Sequence, residues 1–138
     1  MGRIGLAGRH LLKTGEETFA FGVMVAQRLP KQAILALSGP LGAGKTTFVQ
    51  GLAQGLGITE PIQSPTFILL NVYDGLAHFD LYRLKHESDF TNLGFEEYLN
   101  AQMVCAIEWP ERISHLLPSD TLHIRFEYGE GGRIAHVL

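Results

Sequence analysis

Residues 39–47 read GPLGAGKTT and complete the pattern of Gly, four residues, Gly, Lys and Thr. Glycines have no Cβ, so successive backbone N–H groups in such a turn can converge on a phosphate chain. A helix beginning there would add its unpaired amides and the positive end of its dipole. Lys45, which we expect to face solvent, offers a charge for the outer phosphates, and Thr46 offers an oxygen for Mg²⁺, a hard cation. The pattern predicts a phosphate-binding P-loop if a strand precedes it and a helix follows; otherwise it is a chance match.

The segments on either side of this glycine loop supply that context. Residues 34–37 form a short unbroken apolar run, typical of a central parallel strand buried on both faces. Residues 45–56 place apolar side chains on one helical stripe, and Gly57 is available to end the helix. Gly51 and Gly55 weaken this helix by roughly 1 kcal/mol each relative to Ala, so close packing must compensate. The expected phosphate contacts are Gly39, Leu41, Gly42, Ala43, Gly44, Lys45, Thr46 and Thr47.

Two carboxylates are candidates for the chemistry at bound phosphates, because phosphoryl transfer to water needs a metal at the outer phosphates and a group that orients the water. Glu108 follows the apolar run 103–107, and the carboxyl end of such a strand is where a P-loop fold places its metal-orienting acid. The alternative is an acid that merely meets solvent. Asp80 lies on one face of the run 76–82. Its carboxylate has three possible interpretations: a support for the metal, a group that positions water, or an exposed hairpin side chain without a functional role.

Four further side chains have both a functional and a structural interpretation. Thr66, in a loop after the P-loop helix, either contacts the outer phosphate or its metal, or stabilises a turn. Arg83 and Arg133 are either charge donors or solvated surface groups. Trp109 follows the strand-end acid and is either a contact at the site or a core side chain, since its neighbours are apolar.

The rest of the chain predicts a single domain over residues 11–138. Residues 1–10 contain glycines and arginines without periodicity and are interpreted as a flexible lead-in. Thr14 and Glu17 form a capping box that should begin a helix. The Asp-Gly dipeptide at 74–75 predicts a tight β-hairpin. The remaining predictions are a strand beginning at 11–12, a helix at 15–29, strands at 67–73, 76–82 and 103–107, an antiparallel pair at 121–128 and 133–138, a loop or frayed helix at 85–92, and short helices at 95–100 and 110–117.

Composition limits the class of protein. The 138 residues are 46% hydrophobic, which suits one compact soluble domain. The net charge of −3 gives no overall basic field, so we expect any RNA to be held by a partner. Cys105 is the single cysteine, and its apolar neighbours favour a buried, inert thiol in a reducing cytosol. The sequence has neither a bilayer-length apolar run nor a signal-peptide core, so we expect a cytoplasmic protein without a membrane association.

Four strings stand out by their order and spacing: LGAGKTT at 41–47, SPTF at 64–67, HFDLYR at 78–83 and IEW at 107–109. Together they resemble the TsaE (YjeE) family of small bacterial P-loop ATPases. The resemblance implies an α/β, P-loop NTPase-like three-layer fold with a mixed, partly antiparallel central sheet. It also implies binding of ATP and Mg²⁺, weak ATP hydrolysis, and action with the TsaB and TsaD proteins in forming threonylcarbamoyladenosine in tRNA, which the chain would meet indirectly through those partners.

The resemblance also implies roles for individual residues. Thr46 and Glu108 would be the Mg²⁺ ligands, and Asp80 would be the catalytically important acid. With Lys45, the expected catalytic residues are therefore Lys45, Asp80 and Glu108. Trp109 would be a functional neighbour of these residues. Thr14 and Arg133 fall near positions where the family contacts the nucleotide away from its phosphates. The expected nucleotide contacts outside the glycine loop are Thr14, Thr66, Trp109 and Arg133.

Other protein classes share the P-loop. A small-molecule kinase would need an acceptor pocket and an arginine-bearing lid, whereas the polar residues 85–92 include one basic side chain. A GTPase would carry an Asn-Lys-x-Asp motif, which the sequence lacks. A binding module would hold nucleotide without turnover.

One departure from the family concerns Pro40, which stands where an acidic residue is more common. Proline has no backbone N–H, so one amide is missing at the loop entrance, while the amides nearer Gly44 remain.

Overall fold

The computed structural model describes residues 5–40, 42–65 and 69–138. Leu41 and Thr66, both expected to contact the nucleotide, lie outside the described residues. Seven strands are present within these ranges: β1 (Gly8–Leu12), β2 (Ala33–Ser38), β3 (Leu70–Tyr73), β4 (Leu76–Asp80), β5 (Val104–Glu108), β6 (Leu122–Gly129) and β7 (Gly132–Val137). They form one sheet in the order β1-β7-β6-β2-β5-β4-β3.

The centre of the sheet is parallel and its edges are antiparallel. β2 pairs in parallel with β5 and β6, and β4 pairs in parallel with β5. The hairpins β3–β4 and β6–β7 and the pair β1–β7 are antiparallel. The first five residues of β2 are all buried, as expected for a central strand that is covered on both faces. The predicted mixed, partly antiparallel α/β sheet is therefore confirmed.

Helices cover both faces of the sheet. Side chains of a strand alternate between faces, so Leu35 and Leu37 pack on one side while Phe79 and Ile107 pack on the other. The first face is covered by α1 (Gly15–Arg28) and α2 (Lys45–Gly55), and the second by α3 (Glu87–Asn92), α4 (Glu96–Leu99) and a 3₁₀ helix (Pro110–Leu116). Across the ranges that the structure describes, no helix has the length and apolar character to cross a membrane.

The helices α1 and α2 approach each other closely at glycines. A Cβ on Gly51 would lie 2.0 Å from the carbonyl oxygen of Phe19, and a Cβ on Gly22 would lie 2.3 Å from that of Phe48. A Cβ on Gly55 would likewise overlap α1. The close packing that the sequence required to offset the weak helix propensity of Gly51 and Gly55 is therefore present.

The flexible lead-in predicted over residues 1–10 is too long, because β1 begins at Gly8. Gly8 pairs with Val137, and the pairing with β7 continues to the end of β1. Leu6, two residues before the start of the strand, is already part of the core. No periodic pattern marks this strand in the sequence, because an edge strand is held by backbone hydrogen bonds to a neighbour that lies far away in the chain.

Cys105 is fully buried on the second face of the sheet. Its Sγ–H donates to the carbonyl oxygen of Tyr98 at 3.2 Å. Burial raises the pKa of the Cys105 thiol to about 12, because the thiolate would lose its hydration. The expected burial of the thiol is confirmed, and a thiol with a raised pKa carries little of the nucleophilic thiolate.

Candidate functional site

The carboxyl ends of β2, β5 and β4 meet at one edge of the sheet, and the glycine loop begins there. Leu37 of β2 pairs with Glu108 of β5, and Glu108 pairs with Asp80 of β4. Residues paired across a parallel ladder place their side chains on the same face, so the two carboxylates are neighbours on the face covered by α1 and α2. Open α/β sheets bind their ligands at such an edge.

Glycines in the left-handed region shape the loop between β2 and α2. The φ angle is 131° at Gly39, 77° at Gly42 and 104° at Gly44. A Cβ on Gly39 would also lie 2.2 Å from the carbonyl oxygen of Phe126, so the loop entrance needs glycine for space as well as for conformation. Gly44 caps α2 without a side-chain hydrogen bond, which leaves the first helix amides available to an anion.

Lys45 is buried, with 4% of its surface exposed, and does not face solvent as the sequence analysis expected. Its Nζ donates to the carbonyl oxygen of Gly39 at 2.6 Å and lies 4.2 Å from the centroid of the Trp109 ring. Burial lowers the pKa of Lys45, while the nearby carboxylates of Glu108, Glu111 and Asp80 oppose that change. The ammonium therefore lies inside the site before any ligand arrives.

Trp109 has an unusual backbone conformation, with φ 60° and ψ 50°. This left-handed region is rarely occupied by bulky residues, and such conformations cluster at functional sites. The half-buried indole packs with the ring of Tyr82, the two centroids being 5.0 Å apart, and also lies against the Lys45 ammonium. The ring of Trp109 therefore joins the second-face core to the glycine loop.

Glu108 is buried rather than solvated, with 4% of its surface exposed. Its Oε2 lies 2.6 Å from Nε2 of His78, which is fully buried. A buried carboxylate needs a hydrogen-bond partner to offset its lost hydration, and the imidazole of His78 occupies that position. The alternative of a strand-end acid that simply meets solvent is therefore excluded.

Asp80 is half-buried next to Glu108. Its Oδ1 accepts a hydrogen bond from the backbone N–H of Tyr82 at 3.1 Å, which turns the chain at the end of β4. Burial raises the pKa of Asp80, the Tyr82 hydrogen bond opposes this change, and the charge of Glu108 adds to it. This carboxyl group lies at the glycine-loop edge and is not an exposed hairpin group.

Thr46 is placed at the first turn of α2. Its Oγ1 lies 3.4 Å from Oγ of Ser64, so the SPTF string begins beside the glycine loop. A cavity of about 170 Å³ opens at this point. The cavity is lined by Gly42, Gly44, Lys45, Thr46, Thr47 and Glu108. It thus brings together loop glycines, the ammonium, two hydroxyls and one carboxylate.

A second cavity of about 280 Å³ shares Gly42, Gly44 and Thr47 with the first, so the two adjoin each other at the loop. Thr14 and Arg133 both line it. Its other lining residues are Leu12, Lys13, Gly15 and Thr18. The structure therefore brings Thr14 and Arg133 to the loop from opposite ends of the sequence.

Each of these two side chains also has a local role. The Thr14 Oγ1 caps α1 by accepting from the N–H of Glu17 at 3.1 Å, and Glu17 in turn accepts from the N–H of Lys13, one residue earlier than a standard capping box. Arg133 Nε donates to the carbonyl oxygen of Gly42 at 3.1 Å. By contrast, Arg83 is exposed and lines a separate depression with Leu84 and Lys85.

The family described as "Threonylcarbamoyl adenosine biosynthesis protein TsaE" matches residues 12–135. The chain belongs to the TsaE family.

TsaE relatives are similar over most of their length. Proteins named "tRNA threonylcarbamoyladenosine biosynthesis protein TsaE" from Treponema pallidum and Bacillus subtilis are 44% and 45% identical to it, over 84% and 79% of this chain and 88% and 70% of theirs. The crystal structure of YdiB from Bacillus subtilis matches with a TM-score of 0.76 and 34% identity, covering 94% of this chain and 81% of that one. The P-loop fold predicted from the sequence is confirmed.

Sequence reasoning missed three features of this TsaE site. His78 belongs to the string HFDLYR, but its contact with Glu108 was not predicted. The contact between Ser64 and Thr46 was not predicted either. Sequence reasoning also missed Tyr128, whose ring lies 4.9 Å from the Arg133 guanidinium carbon. The sequence did contain a signal for His78. Because side chains alternate along a strand, His78 lies on the same face of its strand as Asp80, and a polar side chain there could contact Glu108 on the neighbouring strand.

Proposed function

We propose that the chain binds ATP with Mg²⁺ and hydrolyses it weakly, and that this turnover serves the formation of threonylcarbamoyladenosine in tRNA. The observation that carries the proposal is the single cavity in which the glycine loop, the buried Lys45 and the Glu108 carboxylate meet. The printed names of the relatives support the tRNA pathway, and the cavity supports the nucleotide.

The phosphate chain is bound by the loop amides and Lys45. Positive φ angles at the glycines bring the loop backbone close to a ligand, and the uncapped start of α2 adds further N–H donors. Lys45 exchanges its bond to the Gly39 carbonyl for bonds to outer phosphate oxygens. Because the ammonium is already buried, little further dehydration opposes that exchange.

The residues beside the cavity fit a Mg²⁺ ion. The Thr46 hydroxyl and the Glu108 carboxylate are hard oxygen donors that line one space, and they would hold the ion. Mg²⁺ usually keeps several waters and takes the rest of its ligands from one or two protein side chains and the substrate phosphates. When bound, Mg²⁺ would neutralise charge on the outer phosphates during transfer to water.

Asp80 orients the attacking water. It neighbours Glu108 at the same sheet edge, and one of its oxygens is fixed by the Tyr82 amide. The raised pKa of Asp80 makes its carboxylate a better proton acceptor than an exposed one. Of the two carboxylates at this edge of the sheet, Glu108 would therefore bind the metal ion and Asp80 would orient the attacking water.

The second cavity receives the part of the nucleotide that lies beyond the phosphates. Arg133 is anchored on the Gly42 carbonyl and packs on Tyr128, so its position is set before ligand binding. Thr14 borders the same space at the start of α1. Trp109, with its ring over Lys45, limits the water that reaches the phosphate side.

TsaB and TsaD are the proposed protein partners, and tRNA is met through them. A net charge of −3 gives little attraction for an RNA backbone, which supports an indirect contact. Turnover that rises when the partners are added is the behaviour expected of an ATPase coupled to an assembly.

Phosphate release with and without TsaB and TsaD tests the proposal, together with reconstitution of the tRNA modification with the chain omitted and restored. Stimulated release and restored modification would support it. A phosphorylated metabolite in place of free phosphate would instead indicate the alternative, a small-molecule P-loop kinase. Nucleotide binding without turnover under any condition would indicate a binding module.

A further inference from the structure

His78 is a buried polar residue that the proposed function leaves without a role. It is fully buried on β4, and its Nε2 lies 2.6 Å from Glu108 Oε2. Its Nδ1 has no hydrogen-bond partner among residues 5–40, 42–65 and 69–138. Most buried polar atoms are satisfied, so a histidine that leaves one ring nitrogen unpaired in order to reach a carboxylate requires an explanation.

The contact determines which ring nitrogen carries the proton. An ionised carboxylate only accepts hydrogen bonds, so the Nε2–H of His78 donates to Oε2 of Glu108. A proton on Nδ1 would instead leave an N–H donor buried without an acceptor. The Nε2–H form is therefore the one that the site accommodates.

The strand register explains how the ring reaches the carboxylate. His78 on β4 is paired with Ala106 on β5, and Glu108 is two residues further along the same face. Diagonal neighbours of this kind are within reach of long side chains. Ala106 is small and fully buried, so it leaves room for the imidazole to lean toward Glu108.

We propose that His78 is a positioning residue that holds one oxygen of Glu108 and so presents the other, Oε1, to the metal ion. This inference rests on the proposed function, because Glu108 is a metal ligand only if the ion binds there. The hydrogen bond lowers the freedom of the carboxylate to rotate before the ion arrives. Partners that orient metal-binding carboxylates typically change metal affinity or activity by about 10- to 100-fold when removed.

Two substitutions of His78 test this role. His78→Leu keeps a similar volume and removes the donor, whereas His78→Gln keeps an N–H near the position of Nε2. His123→Leu is the matched control, since His123 is exposed on β6. The measurements are the Mg²⁺ concentration for half-maximal ATP hydrolysis and the affinity for ATP in EDTA.

His78→Leu should raise the Mg²⁺ requirement about 10-fold or more, and His78→Gln should restore it to within about threefold of the wild type. ATP affinity in EDTA should be unchanged in all three variants, as should the Mg²⁺ requirement of His123→Leu. Thermal unfolding of each variant checks that it folds. A structural role alone would not give rescue by Gln together with an unaltered metal-free affinity.

A second measurement needs no substitution at His78. Nitrogen NMR of the metal-free wild type should show His78 protonated at Nε2, with a slowly exchanging proton that is lost in Glu108→Ala. An Nδ1-protonated ring, a wild-type Mg²⁺ requirement in His78→Leu, or an equal defect in His78→Gln would overturn the positioning role. Absence of Mg²⁺-dependent turnover in both the wild type and His123→Leu would overturn the proposed function itself.

Discussion

Substitution of Lys45 by Met separates the binding role of this lysine from its structural role. Met keeps an unbranched stem in the buried position and removes the charge. The charge currently makes two favourable contacts, the bond to the Gly39 carbonyl at 2.6 Å and the contact with the Trp109 ring at 4.2 Å. Against these contacts stands the cost of burying an ammonium, which is the largest influence on its lowered pKa.

The two effects on folding are of similar size and opposite sign. A hydrogen bond to a charged group contributes about 1.5–3 kcal/mol and a cation–π contact about 0.5–2 kcal/mol. Dehydration of a buried charge costs several kcal/mol even after relaxation. We therefore expect Lys45→Met to change the free energy of unfolding by only about 1 kcal/mol, or roughly 3–4 °C in Tm for a domain of this size.

The effect on nucleotide binding should be much larger. Loss of one charged contact with phosphate, at about 1.5–3 kcal/mol, weakens binding by about 10- to 150-fold. Titration calorimetry with ATP measures this change, and Lys31→Met is the matched control because Lys31 is exposed. An ATP affinity equal to that of the control would refute the assignment of Lys45 to the phosphates. A fall in Tm far beyond the expected range would instead show that the substitution acts through folding.

Three further substitutions test other parts of the argument. Glu108→Ala should weaken the Mg²⁺ dependence of turnover more than ATP affinity in EDTA, and an unaltered Mg²⁺ titration would remove Glu108 from the metal site. Asp80→Asn should abolish most turnover yet raise Tm at pH 7 in the metal-free protein. Because the pKa of Asp80 is raised on folding, the wild-type protein loses stability as pH rises and the Asp80 carboxyl ionises. Asn stays neutral and avoids that loss. The gain in Tm should disappear in acid, where the wild-type carboxyl is also neutral; a gain independent of pH would contradict this explanation. Gly51→Ala should lower stability by about 1–3 kcal/mol in denaturant unfolding, because its Cβ would lie 2.0 Å from the Phe19 carbonyl oxygen, whereas Gly15→Ala has open space and should be near neutral.

Elements with a local signal could be predicted from the sequence. The buried run of β2 and the capping residue Thr14 were visible in the chain itself, and the Asp-Gly turn marked the β3–β4 hairpin. The early start of β1 was not visible, because its hydrogen-bond partners lie in β7 at the other end of the chain. The helix at 87–92 was ambiguous because its residues are mostly polar and the segment is short.

The candidate site, like the fold, could be predicted from the sequence only where the signal is local. The glycine loop depends on consecutive residues, so its composition alone predicts how its backbone can bend, and the strand end at Glu108 was marked by the apolar run before it. Burial of Lys45 depends on Trp109, and the environment of Glu108 depends on His78, thirty positions earlier. Neither contact follows from spacing along the chain.

The sequence by itself determined the phosphate loop, the order of strands and helices along the chain, and the family, because each is a pattern of neighbouring residues. Only the tertiary structure decided that Asp80 and Glu108 are adjacent, that His78 contacts Glu108, and that Thr14 and Arg133 border one cavity. The physical reason is strand register. Parallel pairing of β4 with β5 is fixed by how the whole sheet packs between its helices, and a shift of one residue would turn these side chains to the opposite face.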